Sequence, residues 1–319
     1  MKTTTSWKGL FFKALAGAAL FALANAAVYH ASEYFHVARD YDATLQGAID
    51  NKSVSVVLAG DSHAATLKND LLADRVYNLA YGGDGPREMY AKLRRVLEAN
   101  DGVRTVMLSA DVHMFAEARQ TSSNRAFVDW YLLITSSPYG LEHGRLSAML
   151  NAVPLFNDDY VQFLKKSIST RSNSTSNAEI DKSPSWSELS EHDRTEIAHR
   201  SGEYDHRGAS SETQALAWYG HIADLAHKRG VRIITVRFPA HPAYFSAIDE
   251  STVRKIDENL ERLGLGRPLD YRRAIADPAD FADEDHLNVV GAVALLHRLE
   301  QDTGEHLRNT SVAQLTAMR

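Results

Sequence analysis

Cysteine is absent from all 319 residues. That absence excludes a disulfide framework, a thiolate zinc site, a Cys nucleophile and an iron–sulfur cluster, so any side-chain nucleophile is an oxygen or a nitrogen. It suits an oxidising compartment, where stray thiols mispair, without fixing one. A dominant charge is lacking too: 35 Lys plus Arg stand against 41 Asp plus Glu, a formal net charge of −6 at pH 7. There is no bulk electrostatic reason to bind nucleic acid, and none is expected as a partner, although a local basic groove stays compatible with that balance. With 44% hydrophobic and 24% charged residues, the composition fits neither disorder nor a collagen-like repeat and provides for a sizeable core. No internal repeat is present, and only one segment runs without charge over a length that crosses a membrane.

That segment comes first. Lys2, Lys8 and Lys13 precede a run over 14–28 with no charged residue and only Asn25 as a polar interruption. Two small-x-small triplets, Ala22-Leu23-Ala24 and Ala24-Asn25-Ala26, suit signal peptidase and a cleaved export peptide. The stretch 10–29, about 20 residues and roughly 30 Å as a helix, also suits a retained single-pass anchor with Lys13 snorkelling to the cytoplasmic headgroups. We prefer the anchor. Positive residues ahead of the apolar run keep the N-terminus inside and send everything after Tyr29 across the membrane. The expected organisation is a signal-anchor over 1–30 in the inner membrane and an extracytoplasmic, periplasmic domain over 31–319; cleavage would instead make that domain a secreted one.

The body alternates strands and helices. The run 54–59 (VSVVLA) is continuous, apolar and β-branched, as expected of a strand covered on both faces of a parallel sheet. It ends at Gly60-Asp61-Ser62-His63, and a short helical stretch follows from about 64. A second strand is predicted over 75–80. Gly82-Gly83-Asp84-Gly85 then turns the chain into a helix over 86–100, with Pro86 in its first turn and Met89, Leu93, Val96 and Leu97 at helical spacing. A third strand over 104–109 completes a right-handed parallel βαβαβ layout. From 116 to 211 the rhythm breaks: helices are expected over 146–152 and 158–166 and a Ser/Asn/Thr-rich loop over 167–187, so this stretch reads as an insertion over the sheet edge. The rhythm resumes with a helix over 213–229, a strand over 231–236, a helix over 251–263, a weak strand over 268–271 and a last helix over 289–301.

Two segments carry chemistry. Gly60-Asp61-Ser62-His63 ends the first strand, and Asp283-Glu284-Asp285-His286 precedes the last helix. Ligands of an open parallel sheet bind outside the carboxyl ends of its strands, so both segments are predicted on that rim. A serine hydroxyl is a poor nucleophile until an imidazole takes its proton, and the imidazole needs a carboxylate on its other nitrogen. Ser62, His286 and Asp283 supply these roles, the i, i+3 offset letting Asp283 reach the ring it orients.

These residues resemble the blocks of the SGNH (GDSL-like) hydrolase superfamily. Gly60-Asp61-Ser62 follows the first strand, Asn78-Leu79-Ala80-Tyr81-Gly82-Gly83 the second, and Asp283 to His286 precedes the last helix, so the blocks span 54–300. The resemblance implies an α/β, three-layer flavodoxin-like fold, a Ser-His-Asp esterase-type site without a cofactor, and an oxyanion hole built on the backbone N–H groups of Ser62 and Gly83. One position departs. The family's third block places an Asn after the third strand, whereas this chain reads Leu108-Ser109-Ala110-Asp111-Val112-His113. An ionised Asp111 cannot donate to an oxyanion and would repel it, and losing one donor typically costs about 10²–10³ in rate. Three resolutions stand: Asp111 is protonated, His113 substitutes as donor, or Asp111 binds the hydroxyl of an acceptor; the last two are favoured.

Plainer readings accompany these. Gly-Asp-Ser also fits an ordinary turn, and His286 a solvent-facing residue at a helix start. His63 reads as a packing or substrate-contact residue; with Asp61, His113, Arg237 and His241 it makes up the expected substrate-binding set, although a structural loop suits 237–241 equally. Glu284 and Asp285 read as surface or helix N-terminal charges. The glycines at 82, 83 and 85 are not a phosphate loop, because no Gly-Lys-Ser/Thr follows. Asp61-x-His63 resembles the opening motif of binuclear phosphoesterases, with Asp283, Asp285 and His286 completing an N/O site. That family's Gly-Asn-His-Glu is absent, and no metal is expected.

The superfamily covers lipases, carbohydrate esterases and O-acyltransferases, so the fold alone does not choose among them. An inside N-terminus, an anchor and an exported domain resemble the membrane-tethered SGNH members of cell-surface acylation systems, which often act beside a multi-pass MBOAT-type acyltransferase. Ser62 precedes Asp283 and His286, the order of the GDSL and teichoic-acid D-alanylation branches rather than the alginate acetylation branch. The expectation is a serine O-acyltransferase, with acetyl the favoured group, acting on a cell-surface polysaccharide or exopolysaccharide through an acyl-Ser62 intermediate. The alternatives are a secreted carbohydrate or lipid esterase and a catalytically weakened scaffold subunit, the latter motivated by Asp111.

Overall fold

The computed structural model of the chain describes residues 7–120, 126–139, 144–157, 160–161, 163–165 and 185–309. It divides into two compact units, Met1–Ala43 with Arg125–Ile180 and Thr44–Asn124 with Asp181–Arg319. Of the stretch 116–211, residues 125–180 group with the N-terminal segment, and 116–124 and 181–211 with the α/β unit.

In the first unit the helix Trp7–Ala31 carries a stretch, Gly9–Ala31, of 23 residues, within which an 18-residue window has mean hydropathy 1.7, long and apolar enough to span a membrane or to be a signal sequence. The unit adds the helices Ala126–Ile134 and Gly144–Asn151 and a turn at Pro154–Phe156. The helix expected over 158–166 falls partly outside the described residues, as does most of the 167–187 loop.

The second unit is built on a five-stranded, all-parallel sheet: β1 (Val56–Ala59), β2 (Val76–Asn78), β3 (Thr105–Ser109), β4 (Arg232–Arg237) and β5 (Leu269–Asp270), in the order β2-β1-β3-β4-β5. The α/β class is as the sequence indicates, and the chain changes direction across the sheet between β1 and β3. Side chains alternate between faces with period 2. Val56, Leu58, Val76, Met107, Ile234 and Val236 share one apolar cluster with Ala292, Leu295, Leu296 and Leu299 of the C-terminal helix Val289–Thr303. Their neighbours Val57, Val106 and Leu108 are equally buried but lie outside that cluster, which is why the strands read as unbroken apolar runs. The helices Pro86–Ala99 and Gln214–Arg229 pack on each other, with the Tyr90 and Trp218 rings 5.5 Å apart, and Tyr219 Oη donates to the Ser109 carbonyl at 2.6 Å.

Like His36–Asp50, the helix Glu191–Asp205 is one that sequence periodicity misses. It buries only Ala198 and Gly202, so it carries no apolar stripe. It docks against the 3₁₀ turn Pro242–Ala247 beyond β4, and a Cβ on Gly202 would lie 2.0 Å from the Tyr244 carbonyl oxygen. By contrast, a Cβ on Gly220, inside Gln214–Arg229, meets nothing closer than Leu263 at 3.4 Å. Gly202→Ala is expected to lose about 1–3 kcal/mol in urea unfolding of the full chain in detergent, as overpacking does, whereas Gly220→Ala should be neutral or gain up to about 1 kcal/mol from helix propensity. Equal effects of the two would refute the close docking.

Candidate functional site

The site is assembled where β1 and β3 end. Gly60 follows β1 in a passage too narrow for any side chain: a Cβ there would lie 2.6 Å from Ala64 Cβ and 2.8 Å from Ser109 Cβ. The chain then enters a four-residue helix, Ser62–Ala65, whose N-cap Asp61 accepts the His63 N–H at 3.2 Å. Ser62 is its first residue, half-buried, and its N–H precedes any intrahelical acceptor. Asn78, at the end of β2, secures this helix from below: its Nδ2 donates to the carbonyls of Ala64 at 2.7 Å and Leu67 at 2.8 Å, and its Oδ1 accepts the Ala80 N–H at 2.8 Å. The 82–85 turn passes beside Ser62, with the Cβ position of Gly82 3.8 Å from Ser62 Cβ. Gly83 has φ 77°, a left-handed conformation that favours glycine. A buried ion pair between Asp84 and Lys92 ties the turn to the helix behind it.

Asp-x-His occurs twice, as Asp61-Ser62-His63 after β1 and Asp111-Val112-His113 after β3, and the two cross-pair. His113 Nε2 lies 2.6 Å from Asp61 Oδ2, and His63 Nδ1 lies 3.2 Å from Asp111 Oδ2, with the two rings edge to face at 4.6 Å. All four side chains are buried. Asp61 also takes Arg119 Nη2 at 3.4 Å. Asp111 accepts the Phe238 N–H at 2.7 Å on Oδ1 and the Ser109 hydroxyl at 3.1 Å on Oδ2, so both of its oxygens are engaged.

Asp285 joins this block to the second segment. Its Oδ2 lies 3.2 Å from His63 Nε2 and its Oδ1 2.8 Å from His286 Nδ1. Asp283 Oδ1 also lies 2.8 Å from His286 Nδ1 and accepts the backbone N–H groups of His286 at 2.8 Å and Asp285 at 3.2 Å. His286 Nδ1 is thus shared by two carboxylates. Its Nε2 is buried and has no hydrogen-bond partner among the described residues, Ser62 included, and the His286 ring stands 5.4 Å from that of His63.

The electrostatics follow from the pairing. Burial opposes the charge on Asp61, yet His113, His63 and Arg119 hold its carboxyl well below the usual carboxylate range. Burial likewise opposes the charge on Asp285, and His286 and His63 overcome it in the same direction. For His63, burial is outweighed by Asp61, Asp111 and Asp285, which keep its pKa well above that of a free imidazole. For His286, burial is outweighed by the hydrogen bonds to Asp283 and Asp285, and its pKa is pushed up to about 10.

The structure therefore brings Ser62, Asp283 and His286 to the carboxyl rim, with the 82–85 turn alongside Ser62, and turns most of the expected substrate-contacting groups inward. Asp61, His63 and His113 are closed into the crossed pairs. Asp111 offers no oxygen to a substrate hydroxyl, and His113 Nε2 is committed to Asp61 rather than to an oxyanion. Arg237 is buried in an ion pair with Asp257 and donates from Nε to the Ala110 carbonyl at 3.3 Å, a brace between β3 and β4 instead of a groove residue. His241 is buried against Trp186, with Nδ1 accepting the Ala243 N–H at 3.3 Å and the backbone N–H donating to the Glu284 carbonyl at 2.9 Å. Asp285, read from sequence as a surface charge, is instead largely buried; its partner His63 lies far away in the chain, and the sequence signal that put the two together was the metal reading that grouped Asp61 and His63 with Asp283, Asp285 and His286.

Asp61, His63, Asp111 and His113 place one potential ligand atom each within 4.8 Å of one another, a set of oxygen and nitrogen donors that suits a divalent transition metal. No family model matches the sequence, and no curated protein matches it.

A histidine whose pKa is raised on folding contributes stability that is complete below its unfolded value near 6.5 and is lost as pH climbs toward the folded one. Asp61 and Asp285, lowered on folding, contribute above about 3.9 and lose it only in strong acid. The melting temperature is therefore expected to fall between pH 7 and pH 10, and His286→Gln should flatten that fall. An unchanged alkaline slope in the variant would show that His286 does not hold its proton through Asp283 and Asp285.

Proposed function

We propose that the protein is a serine O-acyltransferase of SGNH type that works outside the membrane on a cell-surface or exopolysaccharide hydroxyl, with Ser62 as nucleophile, His286 as base and Asp283 orienting the base. The observation that carries this reading is His286 itself: Nδ1 is fixed by carboxylates, leaving Nε2 unpartnered on the rim that carries a half-buried serine at a helix start. The strand order, which is that of flavodoxin-like sheets, sets the Ser62 loop at the reversal point where such sheets bind ligands.

In the first half-reaction Ser62 Oγ bonds to the acyl carbon, its proton passes to His286 Nε2, and the leaving group departs with that proton. In the second, His286 takes the proton of a sugar hydroxyl, whose oxygen bonds to the acyl carbon as the Ser62 ester breaks, and His286 passes that proton to the departing Ser62 Oγ. On this reading the backbone N–H groups of Ser62 and Gly83 serve the developing oxyanion, and Asp111 supplies no third donor. A membrane-bound acyl donor, such as an MBOAT-type partner, suits an exported site beside an anchor helix. The esterase alternative differs only in using water in the second step.

Labelling with a fluorophosphonate tests the nucleophile. Ser62 should be modified, Ser62→Ala should not be, and His286→Gln should slow labelling by about 10²–10⁴-fold, the usual range for removal of a general base. Because only neutral His286 accepts a proton, the labelling rate should rise from neutral pH and level off near the pKa of about 10. Labelling of Ser62→Ala at the native rate would sink the proposal. With acetyl esters, turnover that depends on an added glycan marks transfer, and turnover in water alone marks the esterase.

The metal reading rests on the four buried donor groups and has its own test. The crossed pairs engage one ring nitrogen of His113 and both of His63, leaving His113 Nδ1 buried without a hydrogen-bond partner among the described residues; on the acyl-Ser62 reading chelation leaves fluorophosphonate labelling unchanged, whereas stoichiometric metal in the purified protein with loss of labelling on its removal would favour the metal.

A further inference from the structure

The helix Trp7–Ala31 is not a bare rod. Asn25, the one polar residue over 14–28, is only 9% exposed. Its Nδ2 donates to the Phe21 carbonyl at 2.8 Å, and its Oδ1 accepts the Leu155 N–H at 3.0 Å. One turn earlier, the Phe21 ring lies 5.4 Å from that of Phe156. At about 1.5 Å per residue, Asn25 stands about 9 Å and Phe21 about 15 Å from the Ala31 end. Both depths fall within the roughly 30 Å hydrocarbon layer that a 23-residue apolar helix spans. Whatever packs on these two side chains shares that depth.

The turn that packs there meets the requirement hydrocarbon imposes, which is that backbone polar groups be satisfied within the protein. Ala152 N–H donates to Ala148 at 3.2 Å, Val153 to Leu150 at 2.9 Å, Phe156 to Val153 at 2.8 Å and Asn157 to Pro154 at 3.3 Å. Pro154 has no N–H, and Leu155 is served by Asn25. From 152 to 157, every N–H has a protein acceptor. From 146 to 156, after the exposed Arg145, the exposed side chains are apolar: Leu146 is 71% exposed, Met149 54%, Leu150 41%, Leu155 38% and Phe156 50%. Leu146, Met149 and Leu150 lie at i, i+3 and i+4, one face of the helix Gly144–Asn151, while Ala148 is buried. In water such a face is a liability; in lipid it is at home.

We infer that residues 146–156 form a membrane-embedded arm, the apolar face of Gly144–Asn151 and the turn after it entering the acyl-chain region beside a retained anchor helix. Continuity with the apolar span selects lipid as the occupant. The arm also bears on processing: cutting after Ala24 or Ala26 would remove Phe21 from Phe156, and the later cut would also take Asn25 from the Leu155 N–H. The inference rests on the helix spanning the membrane and is independent of the chemistry at Ser62.

A chain without cysteine can be labelled at single introduced sites without background. Leu146→Cys, Met149→Cys and Phe156→Cys carry a nitroxide in the full-length protein reconstituted into phosphatidylcholine/phosphatidylglycerol vesicles. Leu15→Cys on the anchor reports insertion, and Tyr204→Cys, on a residue 62% exposed in the α/β unit, reports water. With Leu15→Cys in lipid, the three arm labels should be severalfold less accessible to a nickel chelate than Tyr204→Cys and more accessible to oxygen, and the intact mass of the membrane-purified protein should include residues 1–31. Arm labels as accessible to nickel as Tyr204→Cys would overturn the inference. So would protection found only in native membranes, which would assign the face to a protein partner, or a mass showing cleavage after Ala24 or Ala26.

Discussion

Two buried carboxylate–imidazole pairs, Asp61 with His113 and Asp111 with His63, hold the exits of β1 and β3 together. Charges removed from water to this extent survive only when paired, and removing one partner typically costs about 3–5 kcal/mol because the other is left stranded. The pairs cross because β1 and β3 are neighbours in the sheet, so that the same Asp-x-His motif leaves both strands at one edge. Crossing also decides what the intervening residue does. With Asp61 and His63 both drawn inward, Ser62 is the member of its triplet left toward the rim, half-buried at the start of a four-residue helix whose Ala64 packs into the core. The position of the proposed nucleophile is set by the side chains on either side of it.

Asp285 extends that constraint across the site. One oxygen meets His63 and the other His286, so the ring proposed as base is tied through a single carboxylate to the buried pairs. Asp283 shares the same His286 nitrogen and also holds the local backbone. Two acceptors on Nδ1 fix the tautomer more firmly than one would, leaving Nε2 as the nitrogen that exchanges a proton, and they make the protonated ring more stable. An ordinary triad spends one carboxylate on this. A second one trades basicity available at neutral pH for orientation, which explains why burial fails to lower the pKa of this histidine.

How much of this was legible in the sequence varies with the range of the interactions involved. The strands were read to within a residue or two at most ends, since burial on both faces of a parallel sheet leaves an unbroken apolar signature. The rim positions of Ser62, Asp283 and His286 were legible from short motifs whose spacing is local. The helix Glu191–Asp205 was not, because it docks through Ala198 and Gly202 rather than through an apolar stripe. The pairing of Asp61 with His113, the burial of Asp285 and the engagement of Arg237 by Asp257 depend on which strand ends become neighbours, which no local pattern states. Arg237 was read toward the groove because it ends a strand; it is the alternation of faces and the distant Asp257 that turn it inward.

Asp111 shows how a misplaced charge is made harmless. Where an amide donor would be expected, a carboxylate stands, yet three donors converge on it: the Phe238 N–H, the Ser109 hydroxyl and the His63 ring. Both of its oxygens are engaged within the protein, so it offers no donor to an oxyanion. An acyl-enzyme formed at Ser62 would then rely on two backbone N–H groups alone. Such a hole stabilises the tetrahedral state less, by about 10²–10³ in rate for one missing donor. The deficit falls equally on attack by water and on attack by a sugar hydroxyl, but only a bound sugar can offset it, through contacts made away from the reacting atoms that hold its hydroxyl in line. On the acyl-Ser62 mechanism proposed above, a hole with one donor fewer disfavours hydrolysis relative to transfer, so an Asp at position 111, which counts against an efficient esterase, is compatible with the proposed transferase.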